Sequence, residues 1–211
     1  MRTVVVLDYG SGNLRSAERA LAATGASVTV TPDLDKAASA DGLVVPGVGA
    51  FAACMAGIEA VGAGPVIAER VARRAPVLGI CVGMQIMFDS GDEHGVVTKG
   101  LGLLPGAVTR LAARRVPHMG WNLLDAPAGS DLFEGVEADA RAYFVHSYAV
   151  TPNAELDGVA LVTTSTHERA TFVAAAERGP LAVTQFHPEK SGAVGAQLLR
   201  NWVATLGTLH G

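Results

Sequence analysis

Pro76-Val-Leu-Gly-Ile-Cys81-Val-Gly-Met-Gln85 is the stretch on which the reading of the chain turns. Residues 77–80 have the unbroken apolar character of a buried strand, which stops at Cys81. An apolar run with helical character follows over residues 84–88. Gly79 and Gly83 stand two positions to either side of the cysteine. That is the layout of a nucleophile elbow with cysteine in the place of serine. So sharp a turn needs flanking residues without a Cβ, so that backbone can pass close by. The layout sets the sulfur at the start of the next helix, where unpaired N–H groups and the helix dipole favour the thiolate. The same ten residues also fit a buried, inert cysteine, since free cysteine is among the most buried residue types. The rest of the chain has to decide between the two.

Upstream, residues 3–7, 27–30 and 43–45 are short β-branched or apolar runs, alternating with helical segments at 14–24, after Thr31-Pro32-Asp33, and from about 50 to 74 with a break at Gly62-Ala-Gly-Pro65. The alternation predicts a flavodoxin-like, doubly wound, mainly parallel α/β sheet, in which sites form outside the carboxyl ends of strands. Three such ends are unusual: Asp8-Tyr-Gly-Ser-Gly-Asn13, Pro46-Gly-Val-Gly49 and Cys81. After Leu101-Gly-Leu-Leu-Pro-Gly106 the pattern changes to short strand-like runs with few helices, closed by a helix over about 193–206. This half reads as an antiparallel extension of the same sheet. With no repeat or linker composition, residues 1–211 read as a single domain.

Composition narrows the function classes. The net charge of −4 is mild and unclustered, so no nucleic-acid face is expected. Two cysteines, Cys54 and Cys81, argue against a disulfide framework and suit a reducing, cytoplasmic compartment. Cys54 reads as core packing. No apolar run reaches the length of a membrane span, so no membrane association is expected. Gly10-Ser-Gly12 after the first strand resembles part of a dinucleotide fingerprint, but Arg15 stands at the third glycine. No cofactor and no metal are expected.

A cysteine nucleophile needs a base, usually a histidine held by a third group. Of the six histidines, His210 lies in the C-terminal tail, and His94 and His167 fall in polar, loop-like stretches. His118 reads as part of a turn, and His146 ends the apolar run from Tyr143. His187 follows the strand-like run 181–186 and precedes Pro188 and Glu189. Residues two apart in extended chain point the same way, so Glu189 can orient the His187 imidazole and present its other nitrogen to a sulfur. A strand-end histidine beside a solvated glutamate is the plainer alternative. Oxyanion donors would come from the Val82 N–H and from the Gly47-Val48-Gly49 peptides on the neighbouring strand end.

Gly79-Ile-Cys-Val-Gly-Met-Gln85 together with Phe186-His-Pro-Glu-Lys-Ser191 resembles the class I (triad-type) glutamine amidotransferases. Asp8-Tyr-Gly-Ser-Gly-Asn13, Pro46-Gly-Val-Gly-Ala-Phe51, Pro117-His-Met-Gly-Trp-Asn122 and Tyr143-Phe-Val-His-Ser-Tyr148 are similar, more narrowly, to the glutaminase subunits of imidazole glycerol phosphate synthase. The matches run from residue 8 to residue 191. The resemblance implies that Cys81 attacks the glutamine side-chain amide, with His187 as base and then acid and Glu189 orienting it. It further implies glutamine contacts from Gly49, Gln85, Glu93, His146, Ser147 and Tyr148. Asn13, Trp121, Tyr143 and Lys190 would face a (βα)8-barrel cyclase subunit, to which the ammonia passes for histidine biosynthesis. Val82 stands where many relatives carry Leu, a change that leaves its N–H in place.

Overall fold

The computed structural model describes residues 1–207, so His210 lies outside the described residues. The first half runs β1 (Thr3–Leu7), α1 (Leu14–Ala22), β2 (Ser27–Thr31), α2 (Leu34–Ser39), β3 (Gly42–Gly47), α3 (Phe51–Val61), α4 (Ala63–Ala72), β4 (Val77–Cys81) and α5 (Val82–Gln85). The second runs β5 (Phe88–Glu93), β6 (Val96–Lys99), β7 (Leu104–Arg110), β8 (His118–Leu123), β9 (Arg141–His146), β10 (Tyr148–Val150), α6 (Ala154–Asp157), β11 (Leu161–His167), β12 (Ala170–Arg178) and β13 (Leu181–Thr184). A 3-10 turn over Pro188–Lys190 and α7 (Gly192–Thr205) complete it.

The main sheet has seven strands in the order β11-β12-β13-β4-β3-β1-β2. Five of them, β2, β1, β3, β4 and β13, are parallel. Their order is that of a doubly wound flavodoxin-like sheet. Every residue of β3, β4 and β13 is buried, which explains their continuous apolar sequences, whereas the edge strand β2 is only half-buried. The register sets Gly47 of β3 beside Cys81 of β4, with Thr184 of β13 beside Ile80. Three carboxyl ends therefore open side by side at the centre of the sheet.

The second half departs from the expected extension of one sheet. Only β12 and β11 extend the main sheet antiparallel. Strands β10, β7, β5 and β6 form a separate four-stranded sheet, and β8 with β9 a separate antiparallel pair. A single hydrophobic core nevertheless runs through residues of both halves. The helix expected over residues 84–88 is one turn, α5, after which Phe88 starts β5. The segment around Glu93 is strand with a turn at His94 and Gly95, because residues 90–93 pair with residues 96–99 in a hairpin. His118 lies in a strand rather than a turn, and His167 ends one. Gly62, at φ +72°, breaks α3 from α4 with a bend of 89°. No single helix among the described residues is long and apolar enough to cross a membrane.

Arg70 joins helices to sheet from inside the core. Its side chain is buried, and Nη1 donates to the carbonyls of Ala37, Ala38 and Ala40 at the end of α2. Nη2 donates to the carbonyls of Asp41 and Pro76, which precede β3 and β4. Burial, helped by nearby Arg73, lowers its pKa to about 10, which leaves it charged at neutral pH. Arg70→Met would strand these carbonyls in a dry environment. We expect a loss of about 3 kcal/mol or more in urea unfolding, since each buried unpaired carbonyl costs about 1–3 kcal/mol. An unchanged midpoint would mean that water replaces the guanidinium.

Candidate active site

Cys81 ends β4 at φ +57° and ψ −117°, a strained conformation for a residue with a side chain. The glycines around it follow from close backbone contact. A Cβ on Gly83 would lie 1.9 Å from the Val45 carbonyl oxygen, and one on Gly79 would lie 2.8 Å from the Gly83 oxygen. A Cβ on Gly47 would meet the Gly83 nitrogen at 2.5 Å. The elbow is thus wedged between β3 and the turn that follows it, which fixes the direction of the sulfur.

His187 follows β13 and is buried. Its Nδ1 lies 2.7 Å from Oε1 of Glu189, whose side chain is equally buried. The solvated-glutamate alternative therefore does not describe this pair. Backbone contacts hold the segment: the His187 N–H donates to the Tyr143 carbonyl, the Tyr143 N–H to Ser191 Oγ, and Ser191 Oγ to the His187 carbonyl. Burial opposes charge on His187, but the hydrogen bonds that the ring donates to the Cys81 sulfur and the Glu189 carboxylate, with the electrostatic attraction of both groups, outweigh it. The result is a pKa raised to about 9. At neutral pH the ring is an imidazolium held between sulfur and carboxylate.

A cavity of about 230 Å³ opens over the elbow, lined by Val48, Gly49, Cys81, Val82, Gln85, Glu93, Val145, His146, Ser147, Tyr148, His187 and Lys190. Strand ends from both halves of the chain thus meet at one hollow. A larger groove, about 640 Å³, lies along the segment between Leu124 and Ala140 and touches none of the Cys81, His187 and Glu189 side chains.

Several residues lining the cavity over the elbow also make hydrogen bonds within the chain that the sequence does not predict. His146 borders the cavity, but its Nδ1 faces the Tyr148 carbonyl at 3.0 Å and its Nε2 faces His118 Nδ1 at 2.9 Å. Neither nitrogen is left for a ligand. Glu93 accepts from the Phe51 N–H, capping α3, which has no cap from Ala50. Gln85 Nε2 donates to the Tyr148 carbonyl and to Gln185 Oε1. The Val48 N–H, expected as an oxyanion donor, is taken by Ser11 Oγ at 3.1 Å. Ser11 Oγ also donates to the Val48 carbonyl, while Cys54 Sγ sits 3.2 Å from Ser11 Oγ and 3.4 Å from that carbonyl. Cys54 is fully buried, as expected of core packing, but it also braces this clamp.

Two residues were missed. Gln185, fully buried, directs Nε2 at the Cys81 sulfur from 3.9 Å. Its place in the apolar run 181–186, a polar residue two positions before His187, was the available signal. Tyr9 donates to the Pro46 carbonyl at 2.5 Å, tying the first loop to the end of β3, and burial keeps its hydroxyl protonated with a pKa well above the ordinary value.

Trp121 is 53% exposed between exposed Met119 (62%) and Leu123 (46%) on β8. Its ring packs edge-on to Tyr143 at 6.0 Å. Lys190 is exposed at the cavity rim, and half-buried Asn13 precedes α1 without capping it.

The family model for glutamine amidotransferase class I matches residues 5–206. The imidazole glycerol phosphate synthase subunit HisH of Mycobacterium bovis is 62% identical over 202 residues, covering 96% of this chain and 97% of that protein. The HisH subunit of Corynebacterium diphtheriae is 59% identical over 210 residues, covering 98% of this chain and 100% of that protein. A crystal structure described as a glutamine amidotransferase superposes with a TM-score of 0.75 at 20% identity, over 97% of this chain and 98% of the other, which speaks to the fold alone. With a cysteine elbow and a His–Glu pair meeting over one cavity, and identity sustained along nearly the whole chain, this protein belongs to the class I glutamine amidotransferases, in the HisH family of imidazole glycerol phosphate synthase subunits.

Proposed function

We propose that this chain, as one glutamine amidotransferase domain in the cytoplasm, hydrolyses glutamine and hands the ammonia to a (βα)8-barrel cyclase subunit. The carrying observation is the convergence of Cys81, the His187–Glu189 pair and the 145–148 wall on a single 230 Å³ cavity. The Cys81 thiolate attacks the side-chain amide carbon, forming a C–S bond and an oxyanion that backbone N–H groups at Val82 and residues 47–49 receive. His187 gives its proton to the amide nitrogen, which leaves as ammonia. In the second half His187 takes a proton from water, which attacks the thioester and releases glutamate with the thiolate restored. Glu189 holds the ring for both transfers. The cyclase would combine the ammonia with a phosphoribulosyl-formimino aminoimidazole carboxamide ribotide, giving imidazole glycerol phosphate and aminoimidazole carboxamide ribotide.

The apolar row of Met119, Trp121 and Leu123 supports a protein partner on this face, since alternate residues of one strand expose large side chains together. The Ser11 clamp supports dependence on that partner: the Val48 peptide has to give up its hydrogen bonds before its N–H can reach an oxyanion. The test is to mix the chain with a barrel cyclase, its ribotide and glutamine, and to follow glutamate and imidazole glycerol phosphate together. Strong stimulation of glutaminase activity is expected; equal rates with and without the partner would overturn this dependence. Ser11→Ala should raise the basal rate of the isolated chain about tenfold, because the clamp's hydrogen bonds are worth about 1 kcal/mol each. An unchanged basal rate would show that Ser11 does not restrain the strand.

A further inference from the structure

The histidines beside the cavity form a directed chain. The Tyr148 carbonyl can only accept, so the 3.0 Å contact makes His146 Nδ1 the protonated nitrogen. Neutral His146 then accepts at Nε2, and His118 must donate from Nδ1 across 2.9 Å. His118 Nε2 is left as an acceptor, and Asn122 Nδ2 faces it at 3.3 Å. The Asn122 amide is itself oriented, since Nδ2 donates to the Thr166 carbonyl and Oδ1 accepts from the Leu123 N–H. Every direction agrees from end to end. Burial lowers the pKa of His118 to about 4 and of His146 to about 3, which keeps both rings in the neutral form these directions need. Phe144 and Phe172 pack around both rings, and His167 stacks on His118.

From the same carbonyl a second arm runs to the nucleophile. Gln85 Nε2 donates to Tyr148 O and to Gln185 Oε1, which turns the Gln185 Nε2 toward the Cys81 sulfur. The relay starts on β8, whose outer face carries Met119, Trp121 and Leu123, and ends on the cavity wall. Among the described residues no group of three or more His, Cys, Asp or Glu is arranged to hold a metal ion.

We propose that Asn122, His118 and His146 are positioning residues for glutamine: a one-way hydrogen-bond relay that fixes the Tyr148 carbonyl and the wall formed by residues 146–148. This rests on the glutaminase reading. Without the His118 donor, the buried Nε2 of His146 loses its partner; the ring turns or changes tautomer, and the Tyr148 carbonyl is released.

The test uses the chain together with a cyclase subunit and its ribotide. His118→Phe keeps an aromatic ring among Phe144, Phe172 and His167 but removes the donor. It should raise the KM for glutamine about tenfold, the cost of one buried unpaired group, while changing kcat less than about threefold. His118→Asn sets an amide N–H at the place of Nδ1 and should recover most of that loss, although it fills the site less well. Equal losses in the two variants would assign His118 to packing, and no change in KM would leave the relay without a role; either result overturns the proposal. Asn122→Ala, at a half-buried strand position, gives a second probe should the His118 variants fail to fold, with KM raised about threefold. An unaltered KM there also counts against the relay. Independently of glutamine, ¹⁵N imidazole spectra should show both His118 and His146 protonated at Nδ1; an Nε2–H form of either ring would sink the relay. A wild-type complex without glutaminase activity but with these spectra would instead overturn the function.

Discussion

Cys81→Ala is expected to abolish glutamine-dependent turnover, by a factor of about 10⁴ or more, as loss of a covalent nucleophile does elsewhere. The substitution removes only the sulfur. The Cβ stays, and with it the elbow's packing against Gly83 and β3, so the φ of +57° is neither relieved nor worsened. In the complex, cyclisation fed by ammonium salts should continue, because that route bypasses the cavity altogether. Following glutamate and the cyclised product separately distinguishes a dead nucleophile from a broken complex. Glutamine-dependent turnover that survives in Cys81→Ala would remove the thioester from the mechanism.

Glu189→Gln should lower kcat/KM by about 10³–10⁴ with little change in size. A glutamine amide can donate to His187 Nδ1, which would force the ring proton onto the nitrogen that faces the sulfur and take away its capacity to accept. The same change has a stability signature. The folded pKa of His187, about 9, lies above the unfolded value of about 6.5. Its imidazolium therefore adds stability that is complete below about pH 6.5 and is lost as pH rises through about 9. From the size of the shift, the contribution is roughly 3 kcal/mol at most. Glu189→Gln removes one of the two groups that hold the proton, so urea midpoints compared at pH 6 and pH 9.5 should differ less in the variant than in the wild type. Parallel pH dependence in the two proteins would mean that Glu189 is not what keeps His187 charged.

How much of this was legible beforehand depended on the range of the interactions. The parallel sheet was readable because strands buried on both faces must be continuously apolar, and β3 and β4 obey that rule. The split of the second half into separate sheets was not, since β7 and β8 look alike as isolated runs and differ only in their pairing partners. Residues 84–88 misled for a related reason. A short apolar run serves equally as helix or strand, and here Phe88 is drawn into pairing with Leu104.

The site divides in the same way. The chain's order of residues by itself pointed to the elbow and the His187–Glu189 pair, beside the plainer readings of an inert cysteine and a solvated glutamate, because each involves neighbours two positions away. The carboxylate reaches the ring from the 3-10 turn over Pro188–Lys190 rather than from the extended chain that the sequence predicts. Only the tertiary structure decided what those groups meet. Gln185 reaches Cys81 across 104 residues of sequence, and His118 engages the Nε2 of His146 from another strand. Ser11 takes up the Val48 peptide from 37 residues away. A hydrogen bond is made by atoms within about 3 Å of each other and leaves no periodic trace in the sequence when its partners come from different strands. Such bonds set the cavity's shape and the resting state of the strand beside Cys81.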